Sequence, residues 1–154
     1  MIEEPCNTPG NSAWDHDEPL ADPMDMGYKK GFKAMYWYAK APCTKDGCPM
    51  EGDPNLTTTT ETINFTQNGE FRKLAKDFPA DGFSAVWNGY LPISESGEYT
   101  FYTKSDDGSL LWIDGYSDAE QVVGNWGFHG PTEKSGTLFL AKGWHEINVE
   151  MFEN

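Results

Sequence analysis

Apolar and polar side chains alternate most clearly after residue 80 of this 154-residue chain. Two runs show the period of two that is typical of half-buried β-strands. Their residues on the predicted buried face are Phe83, Ala85, Trp87, Tyr99, Phe101 and Thr103. Residues 110–113 are apolar at every position, which predicts a strand covered on both faces. Turn-forming Gly, Ser and Asp residues separate the runs, so this region predicts several short strands joined by turns.

The end of the chain predicts a hairpin, with strands at 137–140 and 144–152 joined by the turn 141–143. In its second strand, alternation places His145, Ile147, Val149 and Met151 inward and Glu146, Asn148 and Glu150 outward. The chain then stops at Asn154 without a further turn. We therefore expect the domain to be cut short at its C-terminal strand.

The pattern is weaker before residue 80. Residues 31–39 predict a first strand with one face formed by Phe32, Ala34, Tyr36 and Tyr38. We expect a long loop at 41–62, which includes four consecutive Thr residues, and a short helical turn at 71–78. Residues 1–27 are rich in Pro, Asp and Glu and predict an extended acidic leader ahead of one domain at 28–154.

The composition favours an all-β fold, because 9 Phe, 7 Tyr and 6 Trp suit strands while 16 Gly and 10 Pro suit turns. Short strands with regularly spaced turns predict an antiparallel, jelly-roll-like β-sandwich with long loops. The net charge of -14 disfavours binding to nucleic acid or to an anionic membrane surface. No apolar run has the length of a membrane-spanning helix, so we expect no membrane insertion.

Cys43 and Cys48 flank a turn short enough for a local disulfide, which indicates an oxidising compartment. A metal site is the alternative, although zinc spacing normally includes a second Cys or His pair and none is evident. Cys6 is then either a free thiol or the partner of another chain. Two sequons, at Asn55 and Asn64, agree with secretion and glycosylation.

Asp106 and Asp107 stand side by side in a short polar turn between two predicted strands. Two adjacent carboxylates offer the hard oxygen donors that Ca²⁺ prefers. Asp is also an ordinary turn residue, so the pair is equally readable as a solvated turn.

Several runs, taken in order, resemble the PA-fourteen domain family, which is named after a fragment of the anthrax protective antigen. The matching runs are Gly31–Ala34, Asp81–Leu91, Ser96–Phe101, Ser105–Gly115, Asn125–Gly127, Gly143–His145 and Val149–Asn154. The resemblance covers residues 31–154 and implies a β-sandwich of two antiparallel sheets. Domains of this family occur in extracellular glycosidases, toxins, adhesins and cell-surface proteins.

The resemblance also implies a function for the Asp pair. In the yeast flocculins and epithelial adhesins of this family, the two Asp residues are joined by a cis peptide and hold a Ca²⁺ that binds sugar hydroxyls. A further calcium ligand is an Asn that corresponds to Asn154. The resemblance therefore implies Asp106, Asp107 and Asn154 as metal ligands, and Asp106 and Asp107 as carbohydrate-binding residues.

Trp126 and His129 lie in the glycine-rich stretch 124–130 and are candidate sugar contacts. Trp126 could instead close the end of the sandwich, and His129 could make only a loop hydrogen bond. Trp37, Trp87 and Trp112 occupy alternating strand positions and are expected in the core.

The sequence offers little for catalysis. It contains no Gly-x-Ser-x-Gly motif, and spacing singles out no pair of carboxylates for glycoside hydrolysis. We therefore expect a secreted or cell-surface module that binds a glycan or cell-surface polysaccharide with Ca²⁺, as a monomeric domain of a larger adhesion or multidomain protein. The alternatives are a structural or protein-interaction domain and an accessory domain of a glycoside hydrolase.

Overall fold

The computed structural model describes residues 22, 30–38, 42–66 and 68–154. The predicted leader at 1–27 and Cys6 lie outside the described residues, apart from Asp22. The elements are β1 (Phe32–Tyr38), β2 (Leu56–Thr60), α1 (Asn68–Phe71), β3 (Phe83–Ile93), β4 (Gly97–Ser105), β5 (Ser109–Ile113), β6 (Gln121–Asn125), β7 (Thr132–Leu140) and β8 (Gly143–Glu153). Among these residues, no helix has the length and apolar character needed to cross a membrane.

Two antiparallel sheets form a sandwich. The larger sheet has the strand order β2-β1-β3-β8-β5-β6, and the smaller sheet pairs β4 with β7. The central pair of the larger sheet, β3 and β8, is in register over all eleven residues of each strand, from Phe83 opposite Glu153 to Ile93 opposite Gly143. The predicted all-β sandwich is confirmed.

The core lies between the two sheets and contains the inward-facing residues that the alternation predicted on β3. Phe83, Ala85 and Trp87 are all buried, and Trp87 meets Tyr36 of β1 edge to face at 5.9 Å between ring centroids. The short helix α1 and the turns after it close one side, with Phe71 and Phe78 in the same core. The predicted helical turn at 71–78 was misplaced, because α1 spans Asn68–Phe71 and non-helical turns follow it.

The stretch 56–60 is a strand, and its prediction as a loop was wrong. Strand β2 pairs with β1 at the edge of the larger sheet, with Met35 opposite Thr57. Leu56, Thr58 and Thr60 are half-buried while Thr57 and Thr59 are exposed. Thr is β-branched and suits an edge strand, but a run of identical residues hides the alternation from a sequence pattern.

Two of the outward-facing residues predicted on β8 do face outward, but a loop buries them. Asn148 and Glu150 point away from the core, onto what we call the outer face of the larger sheet, yet both are buried. The loop between β5 and β6 covers them: Tyr116 donates a hydrogen bond to Glu150 Oε2 at 2.6 Å, and Asn148 Nδ2 donates to Gly115 O at 3.0 Å. A loop that folds over a sheet leaves no signal in the period of the strand itself.

The three predicted core tryptophans are all buried, but in two different places. Trp87 lies between the sheets. Trp37 and Trp112 lie on the outer face, where Trp37 Nε1 donates to Gly52 O at 3.1 Å and Trp112 stacks on Tyr116 at 4.3 Å. Loops on both sides of the outer face therefore bury aromatic residues outside the main core.

Candidate functional site

The Asp pair forms the turn between β4 and β5, as the sequence predicted. Asp106 is exposed and Asp107 is 8% exposed. Asp107 has a φ of 47°, in the left-handed region that Asp and Asn tolerate better than most residues. The described residues contain no cis peptide bond, so the cis bond implied by the family resemblance is not found between Asp106 and Asp107.

The buried carboxylate of Asp107 joins two distant segments to its own turn. Its Oδ1 accepts a hydrogen bond from the backbone N–H of His129 at 3.0 Å, and its Oδ2 accepts one from the backbone N–H of Asn154 at 2.9 Å. In the reverse direction, the N–H of Asp107 donates to the carbonyl oxygen of His129 at 2.8 Å. The Asp turn, the loop after β6 and the end of β8 are thereby fixed against one another.

Glu153, at the end of β8, was missed by the sequence reasoning and lies beside this turn. Burial, followed by the negative charges of Asp106, Asp107 and Asp81, raises the pKa of Glu153 to about 7 from its ordinary value of 4.5. We call these four residues the acidic cluster. Only the pairing of β3 with β8, which places Phe83 opposite Glu153, brings Asp81 to this point.

The carboxylates of Asp106 and Asp107 are donors that suit Ca²⁺, which is bound by carboxylate, carbonyl and water oxygens. Each oxygen of Asp107 accepts one backbone hydrogen bond and keeps a second lone pair. In the described part of the chain, no three Asp, Glu, His or Cys side chains form a group that could hold a metal ion. A calcium ion would therefore need Asp106 and Asp107 together with carbonyl, amide or water oxygens, and Asn154 is placed beside Asp107.

Trp126 packs inside the fold more than it faces solvent. Its half-buried ring meets Phe152 edge to face at 4.8 Å. The backbone of Gly47 and of Gly108 packs directly against this ring. A side-chain Cβ added to Gly47 would lie only 2.8 Å from the indole, and one added to Gly108 only 3.0 Å from it. Trp126 therefore closes one end of the outer face, and its predicted contact with sugar stays a prediction.

His129 is held at the same edge by its backbone and its ring. Nδ1 lies 3.0 Å from the carbonyl oxygen of Gly130, and Nε2 lies 3.2 Å from that of Asn125. The neighbouring Phe128, which no sequence pattern marks, is 48% exposed. The predicted role of His129 in sugar binding also stays a prediction.

A cleft of about 440 Å³ opens on the other side of the acidic cluster. The segment 63–66, the end of β4 and the end of β8 form its walls, and its lining includes Asn64, Phe65, Lys104, Asp106, Met151 and Glu153. Sequence reasoning missed the cleft because segment 63–66 and residues 104–106 meet only in the folded chain. Trp126 and His129 are not among its lining residues.

The predicted disulfide between Cys43 and Cys48 is present. It closes a small turn in which Thr44 and Gly47 are bridged, and Ser84 Oγ donates to the carbonyl oxygen of Cys48 at 2.9 Å. The turn thus lies on the outer face, where Gly47 contacts Trp126. Both sequon residues, Asn55 and Asn64, are exposed, and their glycosylation stays a prediction.

Comparisons with known proteins agree with the fold. Residues 42–154 match the PA14 domain family, the PA-fourteen family of the sequence analysis. Anti-sigma-I factor RsgI3 of Acetivibrio thermocellus is 33% identical over 75 residues, which are 48% of this chain and 11% of that protein.

Solved structures show the same architecture. An anti-sigma factor domain-containing protein from Clostridium clariflavum superposes with a TM-score of 0.61 at 26% identity, over 82% of this chain and 38% of that chain. A β-glucosidase from Kluyveromyces marxianus superposes with a TM-score of 0.57 at 22% identity, over 79% of this chain and 14% of that chain, which shows the fold alone. The chain thus spans a minor part of each of these longer proteins.

Proposed function

Because this chain belongs to the PA14 domain family, we propose that it is a calcium-dependent carbohydrate-binding module of an extracellular or cell-surface protein. The observation that carries the proposal is the acidic cluster at the rim of the sandwich. Burial and then the negative charges of the other three carboxylates raise the pKa of Glu153 to about 7, and a bound cation would lower both the cost of burying the charge and the repulsion between the carboxylates.

Asp107, Asp106 and Asn154 would have different roles in holding the calcium ion. Asp107 is fixed by the backbone N–H groups of His129 and Asn154, so its oxygens are held in place before a ligand arrives. Asp106 is exposed at the same turn and can face a ligand directly. When bound, Ca²⁺ would supply coordination of sugar hydroxyls, while Asp106, Asp107 and Asn154 would hold it.

We further propose that the module binds and does not catalyse, and that it belongs to a longer chain. Two of the similar proteins are named as anti-sigma factors and one as a β-glucosidase, and each is much longer than this chain. A β-sandwich of this kind could supply substrate contact to either type of protein. The sequence that flanks this domain in its parent protein would distinguish a regulatory from an enzymatic parent.

The test is a calorimetric calcium titration combined with glycan-array screening in calcium and in EDTA. Asp106→Asn is the informative variant, because it removes a charge from an exposed side chain and leaves the hydrogen bonds of Asp107 intact. Asp118→Asn, in the exposed loop after β5, is the matched control. We expect wild type and Asp118→Asn to bind calcium and glycan and Asp106→Asn to lose both; unchanged binding in Asp106→Asn or in EDTA would refute the calcium mechanism.

A structural or protein-interaction domain is the second candidate. It is favoured by Asp107 itself, whose two carboxylate oxygens already accept backbone hydrogen bonds and need no metal to explain their burial. For this candidate, the calcium titration would give no heat and the melting temperature would not change when calcium is added.

A further inference from the structure

The cleft beside the acidic cluster has an aromatic wall whose position is fixed before any ligand binds. Phe65 is half-buried, and one face of its ring stacks on the buried ring of Phe71 at 4.1 Å with an interplanar angle of 13°. Phe65 also meets Trp87 at 6.0 Å between ring centroids, and all three aromatic rings line the cleft. An aromatic ring supported from behind offers a rigid flat surface at little cost in conformational entropy.

Segment 63–66 has no regular secondary structure, but it is anchored. The carboxylate Oε2 of Glu70 accepts hydrogen bonds from the backbone N–H of Thr66 at 2.5 Å and from its hydroxyl at 3.3 Å. These two bonds tie the segment to α1, which contains Glu70. Phe65 and the exposed Asn64 are thus held at the mouth of the cleft by the residues that follow them.

The charges around the cleft select against anions. Asp106 and Glu153 line one end, and the whole chain carries a net charge of -14. Lys104 lines the cleft as well, but in the smaller sheet it stands opposite Glu133. A phosphorylated or sulfated ligand would meet repulsion here, whereas a neutral ligand with hydroxyl groups could donate hydrogen bonds to the carboxylates.

We propose that this cleft holds a short neutral oligosaccharide, with one sugar ring against the part of Phe65 that lines the cleft and its hydroxyl groups directed to Asn64, Lys104 and Asp106. The proposal rests on the carbohydrate-binding function above and assigns it to a surface that excludes Trp126 and His129. Asp106 belongs both to the acidic cluster and to the cleft lining, and it connects the two sites. A glycan attached to the sequon at Asn64 would stand at the mouth of this cleft, so the test uses protein without glycosylation.

The experiment titrates cellotetraose, xylotetraose and mannotetraose into ¹⁵N-labelled protein with calcium, by NMR and by calorimetry. For a tetrasaccharide that binds, we expect the shifted amides to lie at 63–66 and 104–106. Phe65→Ala should weaken binding by about tenfold, the loss typical of an interface anchor. Asn64→Ala should weaken it by a smaller factor, and this exposed position keeps the test valid if Phe65→Ala fails to fold. Phe139→Ala, at a 67% exposed ring on β7, is the matched control and should bind as wild type.

The outcomes separate the cleft from the calcium mechanism. Amide shifts confined to 126–130, with full affinity in Asn64→Ala, would overturn the cleft and leave carbohydrate binding standing. Cleft shifts that persist in EDTA would support the cleft and reject the role of calcium. Failure of all three tetrasaccharides and of the glycan array would overturn both proposals.

Discussion

Asp107→Asn tests whether the buried carboxylate is a fastening point of the fold. The substitution keeps the shape of the side chain, and Asn tolerates the φ of 47° at this position. It removes the negative charge and turns one of the two acceptor oxygens into an N–H donor. Either the N–H of His129 at 3.0 Å or that of Asn154 at 2.9 Å then faces another donor.

The magnitude follows from the number of bonds. A hydrogen bond to a charged group contributes about 1.5–3 kcal/mol, and a donor left without a partner in a buried site adds to the loss. One bond is lost and the other loses its charge, so we expect Asp107→Asn to cost about 2–3 kcal/mol. For a domain of this size, that corresponds to a fall in melting temperature of about 5–10 °C.

Thermal and urea unfolding in EDTA measure this cost without any contribution from calcium. Asp106→Asn is the matched control, since its exposed side chain predicts a change within about 0.5 kcal/mol. The same melting temperature for the two variants would show that the contacts of Asp107 with His129 and Asn154 do not stabilise the fold, and the reasoning would be refuted.

Two further predictions concern Glu153 and Gly136. Burial and the nearby carboxylates raise the folded-state pKa of Glu153 to about 7 from 4.5, so its stabilising contribution is complete below pH 4.5 and is lost as the pH rises to about 7. In EDTA, the melting temperature of wild type should therefore fall between pH 4.5 and 7 more steeply than that of Glu153→Gln. Parallel pH profiles for the two proteins would contradict the pKa assigned to Glu153. A Cβ on Gly136 would lie 1.8 Å from the carbonyl oxygen of Val122, so Gly136→Ala should lower the free energy of unfolding by about 2 kcal/mol or more. Gly97→Ala, which meets nothing within 4 Å, should melt as wild type, and equal melting temperatures for the two alanine variants would contradict the close packing of β6 and β7.

Much of the fold could be predicted because strand periodicity is local. Phe83, Ala85 and Trp87 alternate along β3 and are all buried in the core. The errors arose where the deciding contact is distant in sequence. The burial of Glu150 was missed: this residue faces out of the core as predicted, but Tyr116, 34 positions away, covers it and donates a hydrogen bond to its carboxylate.

The candidate site also has a part that the sequence predicted and a part that it did not. The adjacent carboxylates of Asp106 and Asp107 and the turn that carries them were readable from the sequence. The sequence could not show that Asp107 is buried while Asp106 is exposed, because that difference depends on the backbone of His129 and Asn154. Likewise Phe65 lies in no motif, and our proposal that it binds a ligand depends on its place with Asp106 in the lining of the cleft.

The sequence by itself determined that this chain forms an antiparallel β-sandwich, because the alternation of side chains sets which face of each strand loses contact with water. The PA14 type was indicated by the resemblance of runs such as Asp81–Leu91 and not by the alternation. Only the tertiary structure decided which carboxylates form the acidic cluster and which aromatic ring faces the cleft. Those relations depend on the pairing of β3 with β8 and on the packing of loops over the sheets. Such contacts join residues far apart in the chain, and no local pattern encodes them.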